Sequence, residues 1–159
     1  MNLIPQNFKY FIKTIFMKNY FLITILTIVV HSVSAQSKTS DMDMAEHRIV
    51  FQLTSGDTTV HKMLVRQLGN VLAAAPNSKV EVVCHGPGIT MMTTAKTIVL
   101  PKIIELKGKG IEFVVCENTL AERKVTKEEI IPQAGFVKAG IIEIVKKQEE
   151  GWSYIRAGQ

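Results

Sequence analysis

Residues 48–84 read RIVFQLTSGDTTVHKMLVRQLGNVLAAAPNSKVEVVC. The first seven residues are rich in β-branched and aromatic side chains and predict a strand, and the polar turn that follows places Asp57 or Thr58 to cap a helix. The next apolar residues recur at helical spacing until Pro76 ends the pattern, and residues 79–84 predict a second strand. A strand, a helix and a strand at this spacing indicate a βαβ unit with parallel strands.

The same alternation continues to the carboxyl end. We predict, in order, a turn at 86–89, a helical stretch in two pieces over 89–106 with Pro101 in a first turn or at a kink, a strand over 111–116, one or two short helices over 117–131 with Asn118 and Thr126 as caps, a strand over 134–139, a helix over 140–151 and a strand over 152–155. Strands that alternate with helices in this way predict an α/β domain whose parallel sheet is covered on both faces.

The amino terminus has the composition of an export signal. Three lysines (Lys9, Lys13 and Lys18) precede the apolar run at 21–30, and Val33 and Ala35 occupy the small-residue positions of a cleavage site. The run is shorter than the roughly 20 residues that span a bilayer. We therefore predict a signal peptide over 1–35 with cleavage after Ala35, a periplasmic or secreted location, a flexible leader over 36–46 and one domain over 47–156. The true start is Met1 or Met17.

Charge does not indicate a polyanionic partner. The 159-residue chain has 19 basic and 14 acidic residues, and removal of the three signal lysines leaves 16 against 14. The basic character of the whole chain thus comes partly from the signal. We predict no nucleic-acid partner, and no membrane partner after signal cleavage.

Both cysteines fall at the carboxyl ends of predicted strands, the edge at which open α/β sheets bind ligands. Cys116 precedes a predicted helix start, where backbone donors and the helix dipole favour a thiolate, whereas the neighbouring Glu117 disfavours it. His85 follows Cys84 on an extended strand, so the two side chains point to opposite faces and are a weak couple. Two alternatives stay open: the cysteines are small buried hydrophobes, or they form a disulfide between adjacent strands.

The segments VVCHGPGI (82–89), KGIEFVVCENTL (109–120) and QEEGWSYI (148–155) together resemble the DsrE/DsrF-like family, which includes the YchN-like proteins, and in particular its secreted single-domain members. The resemblance implies a three-layer α/β/α fold with a five-stranded parallel sheet, a flavodoxin-like architecture. It also implies a homo-oligomer, a trimer or a hexamer.

Family members that work in sulfur relay carry a persulfide on one cysteine at the end of the third strand, just before a helix, and Cys116 matches that position. The resemblance thus implies a sulfur carrier of the sulfurtransferase type, with a sulfur donor or acceptor protein or a small thiol as partner. We assign the remaining candidate residues to a pocket rim with a possible second thiol (Cys84, His85, Gly86, Pro87 and Gly88) and to helix starts (Ser55, Gly56, Asp57, Asn118 and Thr119).

Two other functions are kept as alternatives. A small-molecule-binding module is suggested by the hydroxyl-rich TSGDTT segment (54–59), although Asp57 would repel a phosphate and no aromatic pair is placed for a flavin. A structural oligomer is suggested by the apolar segment at 136–145 with Trp152 and Tyr154, residues that we expect mostly in the core. We predict no cofactor and no metal site, because His47, His61 and His85 lack ligand spacing with the cysteines and His61 is expected to face solvent.

Overall fold

A computed structural model of the chain describes residues 42–158. Its strands are β1 (Arg48–Leu53), β2 (Lys79–Cys84), β3 (Glu112–Cys116), β4 (Gly135–Val137) and β5 (Ser153–Ala157). Its α-helices are α1 (Thr58–Ala74), α2 (Leu100–Gly108), α3 (Glu117–Arg123) and α4 (Gly140–Glu149), and two 3-10 helices span Gly86–Met92 and Lys127–Glu129.

All five strands are parallel, in the order β4-β3-β2-β1-β5, which confirms the predicted five-stranded parallel sheet. The chain moves outward from β1 to β4 and then returns through α4 to β5 beside β1. Because right-handed crossovers that run in opposite directions lie on opposite faces of a sheet, α4 occupies the face opposite α1 and α2. This strand order differs from the 2-1-3-4-5 order of flavodoxin, so the two proteins share a layered architecture but not a sheet topology.

The two faces of the sheet are covered unequally. The α1 and α2 face holds the larger apolar cluster, in which Leu64, Leu68 and Ile103 pack on Phe51 and Phe113. Each such side chain stabilises the fold by about 1.5–3 kcal/mol on burial. Among residues 42–158, the cluster on the α4 face contains three buried residues: Val50, Val83 and Ile144. Polar side chains therefore remain partly exposed on the α4 face, beyond the carboxyl ends of the central strands.

The predicted helical stretch over 89–106 forms in two pieces, as expected, but the first piece is not an α-helix. Residues 86–92 form a 3-10 helix, and an α-helix begins only at Leu100. A Cβ atom on Gly88 would lie 2.2 Å from the backbone oxygen of Leu53, so this segment runs against the end of β1. The buried Thr93 hydroxyl also donates to the Ile89 carbonyl, 3.1 Å away. Pro101 lies in the first turn of α2, one of its two predicted positions.

Two of the predicted caps are confirmed and one is wrong. Asp57 caps α1, with Oδ1 accepting from the Thr59 N–H at 2.7 Å. Thr126 forms a capping box with Glu129. Asn118 is not a cap, because β3 continues directly into α3 and Cys116 itself holds the N-cap position.

His61 does not face solvent as predicted. It is 1 % exposed, and its Nε2 donates to the Ser55 carbonyl at 2.9 Å. Its Nδ1 has no hydrogen-bond partner among residues 42–158. The helical spacing of α1 places His61 one turn before Leu64 and Val65, on the side of the helix that faces the sheet.

The predicted signal peptide and the first part of the predicted leader lie outside the described residues. Residues 42–46 are exposed. The Asp43 N–H donates to the Ala74 carbonyl, and the Asn77 side-chain amide donates to the Met44 carbonyl, both at 2.8 Å. In the described part of the chain, none of the helices is both long and apolar enough to cross a membrane.

Candidate functional site

The two cysteines lie on opposite faces of the sheet. Cys84 is in register with Val115, so Cys116 lies one residue beyond it on the neighbouring strand. Side chains alternate along a strand. Cys84 therefore packs in the large cluster with α1 and α2, and Cys116 points toward α4. Both thiols are free, and the disulfide considered from the sequence is not formed.

Cys84 has the environment of a small hydrophobe. It is 0 % exposed, and burial raises the pKa of its thiol to about 12. A thiol of this kind is almost never ionised near neutral pH, and the thiolate is the reactive form. The geometry thus favours the hypothesis that Cys84 is a buried core residue over the hypothesis that it is a second reactive thiol.

Cys116 is also buried, but its sulfur has hydrogen-bond donors around it. It is 5 % exposed, and the Gly140 N–H at the start of α4 donates to its Sγ at 3.2 Å. Burial raises the pKa of this thiol, but hydrogen bonds from the Gly140 N–H, the Thr119 hydroxyl and the N–H groups of Thr119 and Asn118 outweigh burial and lower it. The sulfur lies where the amino-terminal ends of α3 and α4 converge, and donors at both ends stabilise a negative charge.

A glycine makes this convergence possible. A Cβ atom on Gly140 would lie 3.3 Å from the Cβ atoms of both Cys116 and His85, and 3.2 Å from Cγ1 of Val83. Such distances are tighter than ordinary van der Waals contact. Any larger residue at the start of α4 would push the Gly140 N–H away from the sulfur.

The effect of Glu117 on the thiolate is offset. Its carboxylate accepts from Lys127 Nζ at 2.5 Å, and this ammonium group lowers the pKa of Glu117. Lys127 also lies over the ring of Phe136, 4.7 Å from its centroid. The negative charge next to Cys116 is therefore paired with a positive one, which the sequence did not indicate because the partner is ten residues away.

The predicted rim and helix-start residues divide into two groups. The first group surrounds Cys116: His85 and the donors Asn118 and Thr119, with Gly86 held by an N–H donation to the Thr119 hydroxyl at 3.1 Å. The second group packs at the end of β1. A Cβ atom on Gly56 would lie 3.3 Å from the Pro87 carbonyl oxygen.

The rest of the second group has local structural roles. Gly88 passes close to the Leu53 carbonyl, and Ser55 Oγ accepts from the Asp57 N–H at 3.1 Å. These contacts, with the Asp57 cap, account for the hydroxyl-rich segment by helix capping and close packing.

Three residues of the site were missed or misplaced by sequence reasoning: Gly140, Gln52 and Tyr154. Gln52 donates from its amide nitrogen to Nε2 of His85 at 2.8 Å, and its Oε1 accepts from the Tyr154 hydroxyl. Strand alternation places His85 on the same face as Val83 and Cys116 once β2 and β3 are known to be neighbours. The signal was present in the sequence, but strand order was needed to use it.

Other features of the described residues lie away from Cys116. Cavities of about 370 Å³ and 360 Å³ are lined by α1 residues together with Lys109 in the first and the β5 edge in the second. Within residues 42–158, no three His, Cys, Asp or Glu side chains are grouped so that they could hold a metal ion.

The fold and the site define a class of protein: an α/β domain with a parallel sheet and one hydrogen-bonded, low-pKa cysteine at its carboxyl edge. The sequence pattern of the DsrE/DsrF-like family matches residues 47–157, and the chain belongs to this family. Membership in this family implies a fold that is related to sulfur relay.

Two solved structures have the same fold. The protein of unknown function MTH1491 from Methanobacterium thermoautotrophicum is 28 % identical, with a TM-score of 0.66 over 69 % of this chain and 98 % of that one. The conserved protein of unknown function BT1422 from Bacteroides thetaiotaomicron is 17 % identical, with a TM-score of 0.56 over 69 % of this chain and 93 % of that one, a likeness of fold alone. No match was found among curated proteins.

Proposed function

We propose that this protein carries sulfane sulfur as a persulfide on Cys116. The observation that carries the proposal is the set of donors on Sγ, with the Gly140 N–H at 3.2 Å and a lowered thiol pKa. Family membership supports it, because the fold is related to sulfur relay. Sulfur carriage asks for a thiolate as the nucleophile and for no separate catalytic base.

The transfer step is a thiolate substitution at sulfur. The Cys116 thiolate attacks the outer sulfur of a hydropersulfide donor, R–S–SH. A bond forms between Sγ and that sulfur, the donor's S–S bond breaks, and its electron pair leaves with the donor as R–S⁻. The hydrogen stays on the transferred sulfur as Cys116–S–SH, and attack by an acceptor thiolate reverses the exchange.

The location and the partners form part of the same proposal. The signal predicted over residues 1–35 would place sulfur transfer in the periplasm or outside the cell. The donor and the acceptor are then a thiol protein of that compartment or a small thiol.

Intact mass measurement tests the carrier function. The protein lacking residues 1–35 is incubated with an alkyl hydropersulfide, alongside Cys116→Ser and Cys84→Ser. We expect the wild type and Cys84→Ser to gain one sulfur atom and Cys116→Ser to gain none. Uptake that persists in Cys116→Ser, or its absence from the wild type, would contradict the proposal.

A second role, as a homo-oligomer, is favoured by the outer surface of α4. Ile141, Ile142 and Val145 are 54 %, 53 % and 41 % exposed, so the prediction that this segment is mostly core is wrong beyond Gly140 and Ile144. Three adjacent apolar side chains on one short helix are typical of a subunit contact. We propose that α4 packs against a second copy of the chain.

Light scattering tests the oligomer. We expect the double variant Ile141→Glu and Ile142→Lys to be monomeric at concentrations at which the wild type is a trimer or a hexamer. Met63→Glu, on the outer side of α1 with 39 % exposure, is the matched control and should leave the mass unchanged. A monomeric wild type would rule the oligomer out.

A further inference from the structure

A row of four side chains crosses the α4 face of the sheet and ends at its carboxyl edge. Tyr154 of β5 donates from its hydroxyl to Gln52 of β1, and Gln52 donates to His85, the residue after β2. His85 and Cys116 then meet at Gly140, where one added Cβ would lie 3.3 Å from the Cβ of each. Their Cβ atoms are thus separated by at most twice that distance.

This row leads from β5 toward the edge at which open α/β sheets bind ligands. The chain leaves β1 in one direction toward β2 and returns on the other side to β5, so the strand order reverses between β1 and β5. Crevices outside the carboxyl ends of strands at such a reversal are the usual ligand sites of these sheets. Tyr154 is 40 % exposed and lies before the ends of the strands, and its hydroxyl reaches Gln52 nearer the carboxyl edge.

The hydrogen-bond chain fixes the protonation of His85. An amide nitrogen only donates, so Nε2 of His85 must be the acceptor and Nδ1 carries the hydrogen. Burial also lowers the pKa of His85, which keeps the ring neutral. The hydrogen bonds of residues 42–158 leave the Nδ1–H without an acceptor, so it remains available to a ligand.

We infer that His85 binds the leaving thiolate during sulfur transfer to Cys116, and that Gln52 and Tyr154 are positioning residues that hold its Nδ1–H tautomer. The inference deepens the proposed function and rests on it. In the transfer, the attacking, transferred and leaving sulfurs lie in line, so the leaving sulfur stands roughly 4 Å from Sγ, two S–S bond lengths away. A donor for the leaving sulfur must therefore stand beside Cys116 without occupying its Sγ.

His85 meets this requirement. The Gly140 N–H donates to Sγ at 3.2 Å, and the described hydrogen bond of His85 goes to Gln52. A hydrogen bond to a developing thiolate is charge-assisted, and it matters most when the leaving thiol has a high pKa. The effect of His85 should therefore depend on the leaving group.

Nitrogen-15 NMR of the imidazole tests the tautomer. In the wild type we expect the nitrogen-15 chemical shifts of His85 at neutral pH to be those of the Nδ1–H tautomer. In Gln52→Leu we expect a mixture of the two tautomers. An Nε2–H tautomer in the wild type would overturn the inference. His47, exposed and paired with Asp43, serves as the internal reference ring.

Exchange kinetics test the role. The rate of Cys116 modification is followed by peptide mass with bis(2-hydroxyethyl) disulfide, with 5,5′-dithiobis(2-nitrobenzoate) and with iodoacetamide. We expect His85→Phe to slow the alkyl disulfide reaction by about tenfold or more, the worth of one charge-assisted hydrogen bond. The aromatic disulfide and iodoacetamide, whose leaving groups need no donor, should change by about twofold at most.

Two variants separate the donor from the shape of the ring. His85→Asn places an amide N–H near the position of Nδ1–H and should recover the alkyl disulfide rate to within about threefold of the wild type. His47→Phe, a matched change on the exposed start of the domain, should alter none of the three rates. An equal loss with all three reagents in His85→Phe would show a structural role and overturn the inference.

Failure of the inference and failure of the proposed function are distinguishable. If the wild type takes up no sulfur from a hydropersulfide but keeps the leaving-group dependence on His85, sulfur carriage fails and the role of His85 toward leaving thiolates is supported. If the wild type takes up sulfur and His85→Phe exchanges equally well with every disulfide, only the inference fails.

Discussion

Cys84 and Cys116 end neighbouring strands at the same edge of the sheet, yet their environments are opposite. Their positions differ by one residue of register, and successive residues of a strand point to opposite faces of the sheet. Cys84 is enclosed by apolar side chains, whereas Cys116 accepts hydrogen bonds where two helices begin. A position at the ligand-binding edge therefore does not by itself make a thiol reactive. Reactivity depends on which face of the sheet the sulfur occupies and on the donors around it.

The largest difference between the two thiols should be their alkylation rate. At pH 8 we expect iodoacetamide to modify Cys116 at least about a hundredfold faster than Cys84, because the thiolate is the nucleophile and Cys84 has a pKa of about 12. The Cys116 rate should rise with pH to a plateau reached at lower pH than for an ordinary cysteine, since its pKa is lowered. Peptide mass after quenching measures both sites.

Unfolded protein in urea is the control for this comparison. There both cysteines should react at similar rates, because the fold alone separates their environments. The assignment of the two thiols is wrong if Cys84 reacts as fast as Cys116 in the folded protein. It is also wrong if the pH midpoint of Cys116 alkylation is higher in the folded protein than in the unfolded chain.

Replacing each sulfur by oxygen should separate stability from function. Cys84→Ser buries a hydroxyl in an apolar cluster and should lower the free energy of unfolding by about 2 kcal/mol, while sulfur uptake is retained. Cys116→Ser keeps an acceptor for the Gly140 N–H and should cost less stability while it abolishes uptake. Urea unfolding and intact mass measure the two quantities.

A reversed pattern would break this assignment. Loss of uptake in Cys84→Ser, in protein shown by circular dichroism to be folded, would give the buried thiol a chemical role that its environment does not support.

The fold was predictable from the sequence because strands and helices alternate with clear breaks. The helical stretch over 89–106 forms in two pieces as predicted, but the first piece is a 3-10 helix that begins at Gly86. Gly88 in that helix and Thr93 after it make contacts with the end of β1 and with the preceding turn that no periodicity shows. The apolar α4 residues and His61 were also misassigned. Helical spacing identifies the faces of a helix but not which of them meets the sheet when both carry apolar residues.

The site was predictable in part. The position of Cys116 at the end of β3 was anticipated, and so were Asn118 and Thr119 as residues of a helix start. The grouping of His85 with Cys116 was not, because it depends on β2 and β3 being neighbours and on a glycine 24 residues further along the chain. Pairing of distant strands is a tertiary property, and single-sequence patterns report local structure.

Alanine substitutions of Gly140 and Gly69 test the close packing around Cys116. Gly140→Ala introduces a Cβ between Cys116, His85 and Val83, and should destabilise the fold by about 1–2 kcal/mol. The displaced N–H should also raise the pKa of Cys116 and move its alkylation profile to higher pH. Gly69→Ala, inside α1 with nothing within 4 Å, is the matched control.

The control should change in the opposite direction. Alanine in a helix interior is favoured over glycine by about 0.8–1 kcal/mol, so Gly69→Ala should raise the urea midpoint and leave Cys116 reactivity unchanged. If both variants shift stability in the same direction, close packing at Gly140 is not what holds α4 against the sulfur.

The smallest expected effect concerns a single donor to Cys116. Thr119→Val removes the hydroxyl that helps to lower the pKa of Cys116, and should slow alkylation near neutral pH by about fivefold, the worth of one hydrogen bond of about 1 kcal/mol. Thr93→Val is the matched control, because it also removes a buried hydroxyl, one that donates to Ile89. Both variants should lose similar stability, and Thr119→Val alone should change the reactivity of the thiol. Equal reactivity in the two variants would assign the low pKa to the backbone donors at the ends of α3 and α4, and the contrast between the two cysteines would then rest on main-chain geometry.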